Sequence, residues 1–199
     1  MGRAIRIAAA LPSYARLAWW GLVTPRRERA PLTVHQGVIV GEAGVLLAMR
    51  AELRGWELPG GAALPGESGE AALRREVREE TGLEVEVTLH VGDYHRSGFR
   101  PHTARVYRCV AVGGALRPSA ETPAVAWFDP TALPRALFPW FRGPLADALA
   151  ELPEPVVVHE RQGWRHVLAG MVIDLCTRWR GSSVGRPRSD LVGSGAGQG

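Results

Sequence analysis

The sequence predicts an α/β (α+β) domain in which helices cover a mixed sheet. Strand-like stretches with alternating or β-branched residues are interleaved with amphipathic helical patterns, as expected of such a domain. Of the 199 residues, 46% are hydrophobic and 22% are charged, a composition that allows a buried core. We therefore expect one ordinary domain with short extensions at its ends.

The first 30 residues predict a helical extension and a linker. Apolar residues recur at helical spacing from Pro12 to Leu22, and prolines and charged residues follow at 24–31. Arg6 and Arg16 interrupt the apolar stretch, so we expect neither a signal peptide nor stable insertion into a membrane. These features predict a cytoplasmic protein whose first helix packs on its own domain.

The strands of the predicted sheet can be placed from alternation and from Gly and Pro. Leu32 to Arg50 predicts a hairpin, because alternating and β-branched residues flank the turn sequence EAG. The stretch WELPGG is a short extended piece that Pro59 ends. Further strands are predicted at 84–91, 104–112, 124–130 and 155–160, with a polar loop at 92–103.

Three helices are predicted in the body of the chain, at 69–81, 145–152 and 164–180. The tail at 181–199 is rich in Gly and Ser, so we expect it to be disordered. The predicted organisation is an extension at 1–30, a main domain at 31–152, a strand-helix extension at 153–180 and the tail. The last helix carries an apolar stripe, which we interpret as core or as the face of a homodimer: Val167, Leu168, Met171, Val172, Leu175 and Trp179.

The charge pattern and the cysteines exclude several classes of function. The formal net charge is +4, and the basic residues form no run of five or more, so we expect no DNA binding. The charge pattern does not exclude small ligands that carry phosphate. Cys109 and Cys176 are far apart and lie in no metal-ligand spacing, so we expect two buried thiols rather than a disulfide or a zinc site.

The helix at 69–81 segregates its charges. Ser68 is a suitable N-cap, and Gly82 is a suitable glycine just past the C-terminus. At about 100° per residue, Leu73 and Val77 share an apolar stripe, and two of the three carboxylates at 76, 79 and 80 lie beside it. The arginines fall on the other side.

Glu76, Glu79 and Glu80 need a positive partner, because acids within one turn repel one another and burial of an ionised carboxylate is unfavourable. Arg75 reaches Glu79 but does not neutralise three acids, whereas Mg²⁺ takes carboxylate, water and phosphate oxygens as ligands. A solvated, salt-bridged helix is the alternative. It explains the arginines but not the acids beside the apolar stripe, so we favour a metal site.

This region resembles the Nudix box, which is Gly, five residues, Glu, seven residues, and then Arg-Glu-aliphatic-any-Glu-Glu-any-Gly-aliphatic. The wider resemblance covers about 32–152, and it includes GWELPGG before the box and VAWFDPTALP after it. Leu64 stands where many members place an acid, outside the fixed pattern. Every fixed position is matched, by Gly61, Glu67, Arg75, Glu76, Val77, Glu79, Glu80, Gly82 and Leu83.

The resemblance implies a Nudix-type α/β/α sandwich with a mixed sheet, here with an N-terminal helix and a C-terminal strand-helix extension. It also implies hydrolysis of a pyrophosphate linkage in a nucleoside diphosphate joined to another moiety, with Mg²⁺ or Mn²⁺. Nucleoside triphosphates including oxidised ones, nucleotide sugars, ADP-ribose and capped RNA ends all stay open as substrates. The alternative is a Nudix domain that senses a nucleotide ligand without turnover; the complete set of box acids favours the enzyme.

The resemblance also assigns roles within the box. Glu76 and Glu80 are the expected metal ligands, with Glu79 joining directly or through water and the Gly61 carbonyl completing the set. Glu67 and Arg75 are expected to pair and to hold the loop against the helix. The general base is Glu76 or, as in some relatives, an acid from a later loop, for which Glu121 is the candidate.

Several residues outside the box have two interpretations. Arg50 is a candidate phosphate ligand or an ordinary exposed arginine. Trp56 is a candidate for stacking on a base or for packing in the core, as are Trp127 and Phe128. His95 and His102 fall in the predicted loop at 92–103, where they either contact phosphate or ribose or are simply exposed.

Overall fold

The structure is a computed structural model that describes residues 11–12, 14–15, 32–98 and 101–180. Within these residues, eight strands form one sheet. The strands are β1 Leu32–Gly41, β2 Gly44–Met49, β3 Trp56–Glu57, β4 Gly60–Ala62, β5 Leu83–Gly98, β6 His102–Gly114, β7 Ala124–Phe128 and β8 Val156–Gln162. The helices are α1 Gly69–Thr81, α2 Arg142–Ala150 and α3 Trp164–Arg180, and a single 3-10 turn, Pro139–Phe141, precedes α2.

The sheet is mixed, as predicted. Its main path runs β3-β2-β1-β6-β5-β8, with β4 paired to β1 and β7 paired to β2. The β1/β6 and β5/β8 pairs are parallel, and the other pairs are antiparallel.

One edge of β1 is shared between two partners. Its first half pairs with β4, where Gln36 lies opposite Gly60, and its end pairs with β2, where Val40 lies opposite Val45. The β1/β2 pair is the predicted hairpin. The other partner, β4, is therefore held beside α1 by the sheet itself.

The sheet has a core on each face, because successive residues of a strand point to opposite sides. Val38 packs in the cluster that includes Phe138 and Leu145 of the 3-10 turn and α2 region. Ile39 packs in the cluster that includes Leu73 and Val77 of α1. Helices on both faces give the α/β/α sandwich that the resemblance implies.

Helix α1 has the predicted bounds and caps. The Ser68 hydroxyl accepts a hydrogen bond from the Ala71 N–H at 3.2 Å. Gly82 adopts a φ of 78°, and its N–H donates to the Arg78 carbonyl. The buried side of the helix carries Leu73 and Val77, as the angular argument predicts.

The prediction of a polar loop at 92–103 is wrong, because β5 continues to Gly98 and β6 begins at His102. The buried residues in this part of β5 are Gly92, Tyr94 and Arg96, so no run of aliphatic alternation marks the strand in the sequence. The Tyr94 hydroxyl donates to Asp147 at 2.6 Å, and Arg96 donates to the Trp140 carbonyl at 2.8 Å. Partners far along the chain thus satisfy these groups.

Two smaller predictions also need correction. Helix α2 begins at Arg142 rather than Leu145, because Pro144 sits in the first turn, where a helix does not use the missing N–H. Of the two thiols expected to be buried, Cys109 is buried and Cys176 is exposed.

The C-terminal extension is joined to the domain, since β8 adds to the edge of the sheet beside β5. Helix α3 has the predicted bounds, but its buried face is not the apolar stripe. Its buried residues are Gly170, Asp174 and Arg178, whereas Leu168 and Val172 of the stripe are each 57% exposed.

The buried face of α3 is built on an ion pair. Arg178 Nε donates to both carboxylate oxygens of Asp174, at 2.8 and 2.9 Å. Asp174 also accepts from the Tyr14 hydroxyl at 2.6 Å and from the Arg54 N–H at 2.7 Å, and Arg178 donates to the Glu52 carbonyl at 2.9 Å. These bonds tie the helix to the segment between β2 and β3.

At the N-terminus, Leu11, Pro12, Tyr14 and Ala15 are helical, as predicted. The rest of the predicted extension at 1–30 and the predicted disordered tail at 181–199 lie outside the described residues. Among the residues described, no helix combines the length and the hydropathy needed to cross a membrane.

Replacing Asp174 by Ala should destabilise the protein by about 3–5 kcal/mol, because it leaves the buried Arg178 without its counter-charge. Urea unfolding would measure the loss. The matched control is Cys176→Ala at an exposed position of the same helix, which we expect to change stability by less than about 0.5 kcal/mol. Equal stability of Asp174→Ala and the parent would contradict the role of the ion pair.

Candidate functional site

Two glycines of β4 meet the acids of α1. The Gly60 N–H donates to Glu80 Oε2 at 2.9 Å. Gly60 has a φ of 141°, and a Cβ there would lie 2.0 Å from the His35 carbonyl oxygen, so no other residue fits without displacing β1. This contact fixes the Glu80 carboxylate against the strand.

Gly61 lies equally close to Glu76. A Cβ built on Gly61 would fall 2.5 Å from Cδ and 2.6 Å from Oε1 of Glu76, inside van der Waals contact. The absence of a side chain therefore lets the backbone of β4 and the Glu76 carboxylate approach each other. The predicted ligands Gly61, Glu76 and Glu80 are brought together.

Arg75 joins the loop to the helix. Its Nε and Nη2 donate to the two carboxylate oxygens of Glu67 at 3.1 and 3.0 Å, which confirms the predicted pair. Nη2 also donates to the Ala62 carbonyl at 3.1 Å, and Nη1 donates to Glu76 Oε1 at 2.8 Å. The hydrogen bonds from Arg75 lower the pKa of Glu67, so this carboxylate stays ionised. One guanidinium thus orients β4, the loop and a predicted metal ligand.

Glu79 is different from the other two acids of the helix. Its side chain is 63% exposed, and its carboxylate lies 3.6 Å from Arg75 Nη1. It is therefore at the rim of the site, where the resemblance expects a ligand that joins directly or through water.

The structure adds an acid that the sequence reasoning missed, Glu57 of β3. It is 8% exposed, and it forms an ion pair with Arg50. Burial, together with the nearby charge of Glu57, raises the pKa of Glu80 to about 7. The signal available in the sequence was its place in WELPGG, three residues before the first glycine of β4.

Arg50 and Trp56, the two predicted substrate ligands, have different positions. Arg50 is bound to Glu57, yet 46% of its side chain is exposed, so it can still reach a phosphate. Trp56 is 4% exposed and packs edge-on against Phe128 with ring centroids 4.8 Å apart. The structure thus gives Trp56 the packing role that was its alternative.

The later candidates lie outside α1 and β4, the two elements that carry the predicted metal ligands. Glu121 is exposed, and its backbone carbonyl accepts from the Ala51 N–H at 2.8 Å, which places its loop beside the residue that follows Arg50. His95 lies on β5 rather than in a loop, where it hydrogen bonds to Thr103 and stacks on His159. His102 begins β6.

The residues fit a hard divalent cation. Glu76, Glu80 and the Gly61 carbonyl offer only oxygen donors, which Mg²⁺ prefers, and a cation would relieve the unfavourable burial of Glu80. In the described parts of the chain, no three acidic, histidine or cysteine side chains surround a common point. In the structure, Glu76 Oε1 accepts from Arg75 Nη1, and Glu80 Oε2 accepts from the Gly60 N–H.

A cavity of about 260 Å³ opens beside the two glycines. Gly60, Gly61, Arg50 and Glu57 form the end of it that adjoins the box. The aromatic side chains of Phe138, Trp140 and Phe141 line the cavity farther from the box, together with residues of α3. The site therefore combines a cluster of acids with an adjoining, largely apolar cavity.

A sequence model of the NUDIX domain matches residues 31–149 of the chain, which is more than half of its length. The chain belongs to the Nudix family. A MutT-like protein of Streptomyces ambofaciens is 42% identical over 114 residues, which cover 57% of this chain and 73% of that protein. A putative 8-oxo-dGTP diphosphatase of Bacillus subtilis is 35% identical over 95 residues, 48% of this chain and 64% of that protein.

Solved structures give the same result. The crystal structure of an ADP-ribose pyrophosphatase from Streptococcus suis superposes with a TM-score of 0.56 at 25% identity, covering 66% of this chain and 100% of that one. As a Nudix member with every fixed position of the box, this protein is a pyrophosphohydrolase of nucleotide derivatives.

Replacing Gly61 by Ala should lower activity about 10–100-fold, because the new Cβ pushes the Glu76 carboxylate away from the backbone of β4. Stability should change little, since only the end of a flexible side chain has to move. Initial rates on a nucleotide substrate measure the effect. Gly143→Ala, whose Cβ would meet no atom within 4 Å, is the control that keeps parental activity. An unimpaired Gly61→Ala enzyme would contradict the assigned geometry.

Replacing Glu80 by Gln should stabilise the protein at pH 8 in the presence of a chelator. The folded state raises the pKa of Glu80 to about 7, so folding favours the neutral acid, and stability is lost as the pH rises from about 4.5 to 7. Gln stays neutral and can still accept from the Gly60 N–H. We expect a gain of about 1–3 kcal/mol at pH 8 and almost none at pH 4, measured by urea unfolding. The same gain at both pH values would show that charge is not its cause.

Proposed function

We propose that this Nudix enzyme hydrolyses a pyrophosphate linkage of a nucleoside triphosphate with Mg²⁺ or Mn²⁺ as cofactor. The observation that carries the proposal is that Gly60 and Gly61 connect the acids of α1 with the cavity. They contact Glu80 and Glu76, and they line the adjoining cavity. A nucleotide whose base enters the cavity would therefore have its phosphates at the acids.

The size of the cavity supports a mononucleotide. At about 260 Å³, it is smaller than the roughly 300–1,000 Å³ of sites that enclose drug-sized ligands. It suits one heterocycle better than the two ends of a dinucleotide. The similarity to a putative 8-oxo-dGTP diphosphatase agrees with this choice. ADP-ribose is the second candidate, because a solved relative is an ADP-ribose pyrophosphatase.

In this proposal, Glu76, Glu80 and the Gly61 carbonyl hold the metal ion, and Glu79 contributes from the rim. When bound, the ion would neutralise phosphate oxygens and lower the pKa of a water molecule. Arg75 keeps Glu76 aimed at β4 through its 2.8 Å hydrogen bond, while Glu67 holds Arg75 in place. Arg50 is the side chain that we assign to a phosphate of the substrate.

The proton of the attacking water needs an acceptor. Glu76 is the favoured base, because its carboxylate is held at the junction of acids and cavity. Glu121 stays as the second candidate, because its loop lies beside the segment that follows β2.

We also propose that the protein is cytoplasmic and that it forms a homodimer. Cys109 and Cys176 are both unpaired, which agrees with a cytoplasmic protein. Leu168 and Val172 lie on the exposed side of α3, so of the two roles predicted for the stripe they suit a homodimer face better than core.

A substrate panel tests the proposal. With Mg²⁺ or Mn²⁺, the protein should release a nucleoside monophosphate from at least one canonical or oxidised nucleoside triphosphate, as measured by chromatography. Glu76→Gln should lose about 10²–10⁴-fold of this rate. Glu70→Gln, on the same helix but 52% exposed and paired with Arg74, is the matched control that keeps it. No turnover across the panel, or a fully active Glu76→Gln, would overturn the proposal; turnover of ADP-ribose alone would select the second candidate.

A further inference from the structure

The cavity beside the box is closed by a part of the chain that lies outside the family match, which ends at residue 149. His166, Val167, Gly170 and Met171 of α3 form this wall. The wall therefore lies outside the residues that the family model matches.

The wall is held in place by the buried ion pair of α3. Asp174 accepts from the Arg54 N–H, and Arg178 donates to the Glu52 carbonyl. Glu52 and its neighbour Leu53 themselves line the cavity. The helix is thus anchored to a neighbouring segment that also lines the cavity, so protein contacts set the position of this wall.

One polar group in this enclosure has no protein partner. Gln36 of β1 is 9% exposed, it lines the cavity, and within the described residues its Oε1 accepts no hydrogen bond. A buried acceptor left unsatisfied is unfavourable, and such groups are rare in folded proteins. Its place is also well defined, since Gln36 lies opposite Gly60 in the β1/β4 pair.

The other walls suit a flat, aromatic ligand. Phe138 and Trp140 stack with centroids 4.8 Å apart and planes only 6° from parallel, and Phe141 lies next to Trp140. Aromatic and aliphatic walls with a small number of polar groups among them are the usual composition of a site that recognises a heterocycle. A site of this kind discriminates strongly, because a ligand without the matching donor leaves the buried group unpaired.

We propose that Gln36 determines base specificity: its Oε1 accepts a hydrogen bond from an amino group on the nucleobase that fills the cavity. This inference rests on the proposed function, since it places the base of the substrate there. It adds the residue that reads the base and the chemical group that is read.

The test measures binding of reaction products, so that it does not depend on turnover. Calorimetry compares AMP with purine riboside monophosphate, GMP with IMP, and CMP with UMP; the first member of each pair carries an amino group that the second lacks. The parent should bind the amino-bearing member at least tenfold more tightly in one pair. Gln36→Met, similar in length but without the acceptor, should abolish that preference and raise the midpoint of thermal unfolding.

The control is Gln162→Met. Gln162 lines the same cavity and is 9% exposed, but its side chain is not among those with an unpaired buried atom. This variant should keep the preference for the amino group and should not gain thermal stability. The assignment would be overturned if the parent showed no preference or if Gln36→Met kept the parental preference. It would also be overturned if Gln162→Met lost the preference and Gln36→Met did not.

The experiments distinguish failure of the role of Gln36 from failure of the enzyme function. If the panel shows turnover while Gln36→Met leaves the base preference intact, the enzyme function stands and the role of Gln36 falls. If neither turnover nor binding of any nucleotide is found, both fall together.

Discussion

The close approach of β4 to α1 is the constraint on which the site depends. The Gly60 N–H reaches Glu80, and the bare backbone of Gly61 leaves room for the carboxylate of Glu76. This approach exists because β1 pairs with β4 along one half and with β2 along the other, so the sheet delivers the glycines to the helix. A side chain at either glycine would separate the strand from the acids.

The site concentrates more negative charge than folding alone would favour. Burial and the charge of Glu57 raise the pKa of Glu80 to about 7, so the ionised acid is held against its preference. Arg75 and Arg50 offset part of this repulsion, each through a direct ion pair with an acid. The cation that we propose at Glu76 and Glu80 would offset the rest of this repulsion.

The C-terminal extension changes the surroundings of the site without touching its acids. Strand β8 widens the sheet, and the fully buried residues that α3 turns toward the domain include an ion pair. This pair fixes the helix to the segment after β2 and so shapes the cavity. The matched domain thus supplies the acids, and α3, which lies outside the match, supplies a wall of the space where we place the base.

The sequence by itself determined the features that depend on local spacing. These features depend on residues less than about 25 positions apart. They are the period and caps of α1, the β1/β2 hairpin, the pairing of Glu67 with Arg75 and the family. Only the tertiary structure decided the course of β5 past Val91, the proximity of Glu57 to Glu80, the face that α3 buries and the unpaired acceptor of Gln36. Asp174, for example, lies 120 residues from Arg54, its hydrogen-bond partner. Whether a buried polar side chain finds hydrogen-bond partners depends on residues far away in the chain. A local sequence pattern therefore does not predict it.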